Sequence, residues 1–286
     1  MSLAALAALA TLAALGAAPA AMAGDRLAWT GAITEVEGAA GGGIVPWALI
    51  GGLGTSDQRG ASAAAAYLKT RDFSLRSAGL ALGVDDRAEL SFARQRFDAG
   101  SVIPGLTLGQ DILGVKLRLA GDAVFEPDRW WPQLALGAQY KKTLDYEVIP
   151  RALGATRGQD LEFYVAATKL YFAALAGRNV LLDLAVRRTR ANQLGLLGFG
   201  GDRHAGYSLV PEFSAGAFVA EDWLVGGEYR YKPDNLSAFS EDRALDGFVA
   251  WNPTKTFTLT MAYVDLGRIA GKPNQRGLYL SLWLGI

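Results

Sequence analysis

The one histidine of the chain, His204, lies in the run Asp202-Arg203-His204-Ala205-Gly206-Tyr207-Ser208. A serine and a histidine are the parts of a nucleophile and its general base. If both sit on one strand, four residues separate them by roughly 13 Å, far outside hydrogen-bond reach. No other serine is marked out by its neighbours, so no catalytic residue is assigned. The absence of cysteine removes disulfides, thiolate metal sites and cysteine nucleophiles, and one histidine leaves little for a metal centre. No cofactor is expected. The glycines Gly38, Gly41, Gly42 and Gly43 could form a phosphate cradle, but such a loop needs a strand before it and a helix after it. Ile44 to Thr55 reads as strand, so the glycines mark either a flexible turn or a tight inward bend where backbones approach closely.

More chemistry is carried by charges placed at every second position. Asp183 and Arg187 alternate with Val180, Leu182, Leu184 and Val186; Lys116 and Arg118 alternate with Val115, Leu117 and Leu119; Glu228 and Arg230 alternate with Val225, Tyr229 and Tyr231. Period two is the side-chain repeat of a β-strand, so each segment has one apolar and one polar face. Glu89, Glu162, Glu212 and Asp246 complete a polar set of both signs. Charged rows of this kind suit a lumen that selects solutes, or a closed interior in which the charges neutralise one another.

The segments that must position these rows are about ten residues long, and fourteen of them can be marked, the first two at 27–36 and 46–55 and the last at 276–286. Tight turns near Asp85, Ala176, Glu221 and Pro253 alternate with longer connectors at 97–105, 142–158, 191–203, 232–243 and 267–275. Short turns at one end and long loops at the other are the plan of an antiparallel transmembrane β-barrel, with the long loops outside and dispensable. The expected fold is therefore all-β, an antiparallel transmembrane barrel of about 14 strands, or 12 if the first two segments pack inside it. Trp130, Tyr229, Tyr231, Trp251, Phe257 and Tyr263 fall near strand ends, as interfacial aromatics do.

Residues 1–23 form an Ala/Leu run ending Ala21-Met22-Ala23, the small-x-small form of a signal-peptidase site, so residues 1–23 are expected to be a signal peptide and 24–286 the barrel. The chain carries 28 basic and 28 acidic residues, which gives no basic surplus for a nucleic-acid partner.

The final stretch, RGLYLSLWLGI, places Leu278, Leu280, Leu282, Leu284 and Ile286 on one face. It resembles the closing strand of bacterial outer-membrane barrels, where an apolar terminal residue and alternate apolar positions form the signal read by the barrel-assembly machinery. That resemblance implies an outer-membrane protein. Arg94 and Arg96 fall in register with the outward Leu90 and Phe92. Either a bulge after Ala93 turns them inward, or they lie at the rim and meet lipopolysaccharide phosphates, and His204 is a second candidate for lipopolysaccharide contact.

Two stretches carry a further likeness: EVEGAAGGGIVPWALIGG at 35–52 and ELSFARQRFD at 89–98. They resemble an uncharacterised proteobacterial family of predicted outer-membrane proteins, the domain-of-unknown-function family numbered 3034, over the whole chain after residue 23. The resemblance implies location and fold and supplies no catalytic residue. The functional expectation is a small channel or porin-like protein for small hydrophilic solutes. The alternatives are a closed structural or interaction barrel and, third, an outer-membrane lipid-modifying enzyme. Oligomeric state is left open.

Overall fold

The computed structural model describes residues 28–31 and 33–286. The expected signal peptide at 1–23 lies outside them. Among the described residues two short strands, β1 (Ile33–Thr34) and β2 (Ala40–Gly41), form a small hairpin, and twelve longer strands follow. These are β3 (Arg59–Thr70), β4 (Ser74–Val84), β5 (Ala88–Asp98), β6 (Thr107–Ala120), β7 (Gln133–Thr143), β8 (Gln159–Leu175), β9 (Arg178–Thr189), β10 (Ser208–Ala220), β11 (Trp223–Tyr231), β12 (Arg243–Thr254), β13 (Phe257–Asp265) and β14 (Arg276–Gly285). Each pairs antiparallel with its neighbour in sequence, and β14 pairs with β3 to close the barrel.

The barrel thus has twelve strands, and the expectation of about fourteen is corrected. The segments at 27–36 and 46–55 have strand-like alternation but do not enter the wall. Their described residues run inside the lumen, and Val45, Trp47, Ala48, Leu49 and Ile50 are buried there. The physical reason lies in the glycines between them. Gly38 adopts φ +98°, and a Cβ at Gly41 would overlap the Val45 carbonyl oxygen, so the chain doubles back too tightly for two wall strands.

Parity decides what faces where. On β14 the row Leu278, Leu280, Leu282 and Leu284 faces out, with Leu278 65% exposed, while Tyr279, Ser281 and Trp283 face in. Ile286, just past the strand, exchanges backbone hydrogen bonds with Ala61 and accepts one from Leu53, tying β14 to β3 and to the inner segment. The outward rows of β5, β6 and β9 present Leu90, Leu113 and Leu184 at 55%, 56% and 53% exposure. A closed sheet leaves no unpaired strand edge, and an apolar belt around it is favourable only against lipid. This is the architecture of an outer-membrane barrel. No helix among the described residues is long and apolar enough to cross a membrane.

Long loops gather at one end, although they are not the loose ornaments expected. In the β9–β10 connector, Gln193–Gly195 forms a 3₁₀ turn over the mouth, and Thr143 Oγ1 donates to the Gly195 carbonyl at 2.6 Å. In the β11–β12 connector Asn235 and Leu236 are buried; Asn235 Nδ2 donates to Arg190 O at 3.1 Å and Asn192 Oδ1 at 3.0 Å. The loops therefore form a packed lid.

Candidate functional site

The inward rows meet the inner segment at two levels. Nearer the short-turn end, the wall grips its backbone. Glu89 on β5 accepts from Ala40 N at 3.1 Å and Gly51 N at 2.8 Å, one oxygen for each limb of the hairpin. Lys116 on β6 donates to Ala40 O at 2.7 Å, Leu49 O at 2.9 Å and Glu89 Oε2 at 3.2 Å. Across the lumen, Glu228 Oε2 on β11 accepts from Gly43 N and Ile44 N, both at 2.7 Å. Thr168 on β8 accepts from Ala48 N at 2.6 Å and donates to Asp183 at 2.5 Å; Gln133 on β7 donates to Ala48 O at 2.7 Å. An inner segment with so little regular structure would leave backbone groups unpaired, and these side chains satisfy them.

Nearer the lid, the wall grips one side chain. The Glu37 carboxylate sits 2.6 Å from Lys141 Nζ on β7, 3.0 Å from Arg230 Nη2 on β11 and 3.5 Å from Arg187 Nη1 on β9. The same cations also hold wall carboxylates: Lys141 with Glu162 at 2.8 Å, Arg187 with Glu212 at 2.5 Å, and Arg230 with Glu212 at 3.2 Å. Arg187 additionally lies 5.0 Å from the centroid of the Tyr164 ring. All of these ions are buried, so each depends on its partners for the solvation that water would have given. Glu35 takes its hydrogen bond from Gln139 Nε2 at 3.0 Å instead of from a cation.

The ten sequence-marked polar residues, Glu89, Lys116, Arg118, Glu162, Asp183, Arg187, Glu212, Glu228, Arg230 and Asp246, all lie on inward rows. Neighbours on one inward row do not pair with each other. Glu228 binds the inner segment's backbone and Arg230 binds Glu37, so these two do not bridge each other. Asp183 is hydrogen-bonded by Thr168, while Arg187 turns to Glu212. Arg118 sits apart at the short-turn rim with Asp86 and Asp122. Sequence reasoning missed Glu35, Glu37, Gln139 and Lys141. Glu37 precedes the glycine run and Lys141 ends an alternating strand, but only the register between distant strands brings them together.

Small inward residues make room for the inner segment and for neighbouring rings. Gly79, Ala81 and Gly83 on β4 make room for backbone: a Cβ at Gly79 would lie 3.4 Å from Gly38 Cα, and one at Gly83 would overlap the Gly51 carbonyl oxygen. Gly137 makes room for the Tyr164 ring. Space does remain at the short-turn end, where an apolar hollow of about 580 Å³ is lined by Trp29, Leu49, Ala123, Leu170, Leu181 and Phe218.

The lid has its own buried pair outside the spanning strands. Both Glu241 oxygens accept from Gln193 N at 3.0 Å, and Lys232 Nζ donates to Gln193 Oε1 at 3.2 Å. Burial pushes the Glu241 carboxyl up to about 7 against the opposing pull of Lys232, and burial lowers the Lys232 ammonium. His204 is exposed on this lid, its backbone N–H donating to Asn235 O at 3.1 Å. Arg94 and Arg96 face outward with no bulge in either pairing of β5. Arg94 makes a bidentate pair with Asp111 on the outer face of β6, at 2.6 and 2.7 Å.

Among solved structures, the chain is similar to the NanC porin at 11% identity and TM-score 0.46, over 78% of this chain and 97% of that one. It is similar to the outer-membrane protein Omp33 of Acinetobacter baumannii at 10% identity and TM-score 0.46, over 80% and 98%. It is also similar to the COG4313 outer-membrane channel of Pseudomonas putida F1 at 13% identity and TM-score 0.44, over 85% and 97%. No curated protein matches it in sequence. A family profile described as Protein of unknown function (DUF3034) matches residues 30–283, and the chain, a twelve-stranded barrel with an internal N-terminal segment, belongs to that family.

Proposed function

We propose that the protein is a gated outer-membrane channel for small hydrophilic solutes, and that residues 28–54 are its gate. One observation carries this: the segment filling the lumen precedes the first wall strand and joins no wall ladder. Side chains of the wall hold it in place. The barrel's own hydrogen bonds close without it, through the pairing of β14 with β3. Displacing it leaves a lumen lined by Glu89, Lys116, Glu162, Arg187, Glu212 and Arg230, a polar surface suited to hydrated solutes. In this orientation the long loops face outward and the segment enters from the periplasmic end.

The test uses the cysteine-free background. An ideal Cβ at Gly51 lies 3.4 Å from the Ala81 Cβ, close to disulfide geometry, so Gly51→Cys with Ala81→Cys would tie the segment to β4. Planar-bilayer recordings are expected to show no openings when the pair is oxidised and openings after reduction. Silence of both the reduced pair and the wild type would sink the channel reading.

A second reading, a closed structural barrel, is favoured by the pairing of the buried ions around Glu37 within one network. It predicts silence in every arm. The roles assigned to the outer parts of the chain belong to the same proposal: removal of residues 1–23 as a signal peptide, recognition of Leu278 to Ile286 by the assembly machinery, and contact of the Arg94 and Arg96 rim with lipopolysaccharide.

A further inference from the structure

We infer that the cage around Glu37 is a carboxylate-binding site of the channel, occupied in this closed state by the gate's own carboxylate, and that the solute it serves is a small organic acid. The inference rests on the channel reading for its physiological meaning and on geometry for the site itself. Three cations from three strands, Lys141, Arg187 and Arg230, converge on one carboxylate, with both Glu37 oxygens engaged. The wall supplies two carboxylates to these cations, Glu162 and Glu212, so one positive charge is in excess once Glu37 leaves. A buried cation without a partner is costly, and the cheapest relief is another anion of the same shape. Arg230 reaches both Glu37 oxygens through one nitrogen, at 3.0 and 3.1 Å, and Lys141 adds a point charge from the side. That donor set matches a planar carboxylate.

The position suits a transported ligand. The cage lies just below the lid, where Lys141 Nζ also faces the Leu194 carbonyl at 3.4 Å. On its other side the inward rows carry Asp183, Glu228 and Asp246, and Lys116 there is already engaged by Glu89. A carboxylate would therefore be held at the cage, because on the level beneath Lys116 is already paired. An entering acid could also compete directly with Glu37, coupling solute binding to release of the gate.

The experiment is chemical rescue in the full chain. Glu37→Ala removes the resident carboxylate and leaves the wall intact; Glu37→Gln fills the same space without charge. Thermal unfolding is measured with sodium acetate, with acetamide as its uncharged isostere, and with sodium chloride at equal ionic strength. Acetate is expected to raise the Glu37→Ala melting temperature saturably, by about 2–4 °C, and to leave the wild type and Glu37→Gln unmoved. Acetamide and chloride should move none of them, and adding Arg230→Gln to Glu37→Ala should abolish the rescue. An acetate shift no larger than that of chloride, or equal in the wild type, overturns the site. Single-channel recording of Glu37→Ala separates the two proposals. Openings without rescue leave the channel and remove the carboxylate site, whereas rescue without openings keeps the site and removes the channel.

Discussion

Two regions of one lumen hold one segment by opposite means. Around residues 40–51 the wall reads backbone: Glu89, Lys116, Glu228, Thr168 and Gln133 bind amides and carbonyls, which any side chain at those positions would present. Around Glu37 the wall reads one side chain, through cations that it shares with the wall carboxylates Glu162 and Glu212. The difference assigns labour. The first region fixes the segment's path and depends on closeness of approach, which Gly41 and Gly42 permit. The second fixes identity and charge, and a single substitution there changes the electrostatics of the whole upper lumen.

The largest effect is expected from the charge-reading region. Arg187→Met leaves Glu212, Glu162 and Glu37 short of a shared cation, and breaking a buried network of this kind costs about 3–5 kcal/mol. Urea unfolding in detergent micelles should show this loss, and an unchanged midpoint would mean that the network is solvated. Next comes closeness of approach. Gly83→Val places side-chain atoms where the Gly51 carbonyl now sits, at a cost of about 1–3 kcal/mol. The returning limb should lift away, seen as new protease cleavage within 44–54 while the barrel still shifts on unboiled gels. Continued protection would show that β4 yields instead.

Smaller still is the lid. The Glu241 carboxyl is raised from its usual value near 4.5 to about 7, chiefly by burial, so the folded lid holds a proton that the unfolded lid has lost between those values. Its contribution is therefore fully present below about 4.5 and lost as pH rises to about 7. Protection factors at Gln193 to Leu197, corrected for the intrinsic base catalysis of exchange, should fall over that window in the wild type and stay flat in Glu241→Gln. The packing of Asn235 and Leu236 also means that deleting 236–240 should loosen the lid, contrary to the expectation that external loops are dispensable. Least affected should be the outer rim. Arg94→Ala removes an exposed pair with Asp111, and such pairs contribute less than about 1 kcal/mol. Any larger change confined to lipopolysaccharide-containing bilayers would locate a lipid phosphate there.

How far the site could be read in advance follows from the range of each cause. Parity is local: in the run Val180 to Arg187 each side chain's face is set by its neighbours, so the inward charges and the outward leucines were legible from the sequence alone. The turn chemistry that separates the strands is local as well. At the start of the inner segment, Glu35, Val36 and Glu37 would suit a wall strand as well as a luminal one. What settles the choice is whether distant groups await them. Lys141, Arg187 and Arg230 lie more than a hundred residues from Glu37, and Glu228 lies 185 residues from Gly43. Those partners converge only once β14 has closed on β3 and fixed the register around the ring. The sequence by itself thus determined a membrane barrel with a charged interior. The number of strands in the wall, and the path of the inner segment within it, were decided by tertiary structure, because buried charges and backbone groups must find partners that no local pattern specifies.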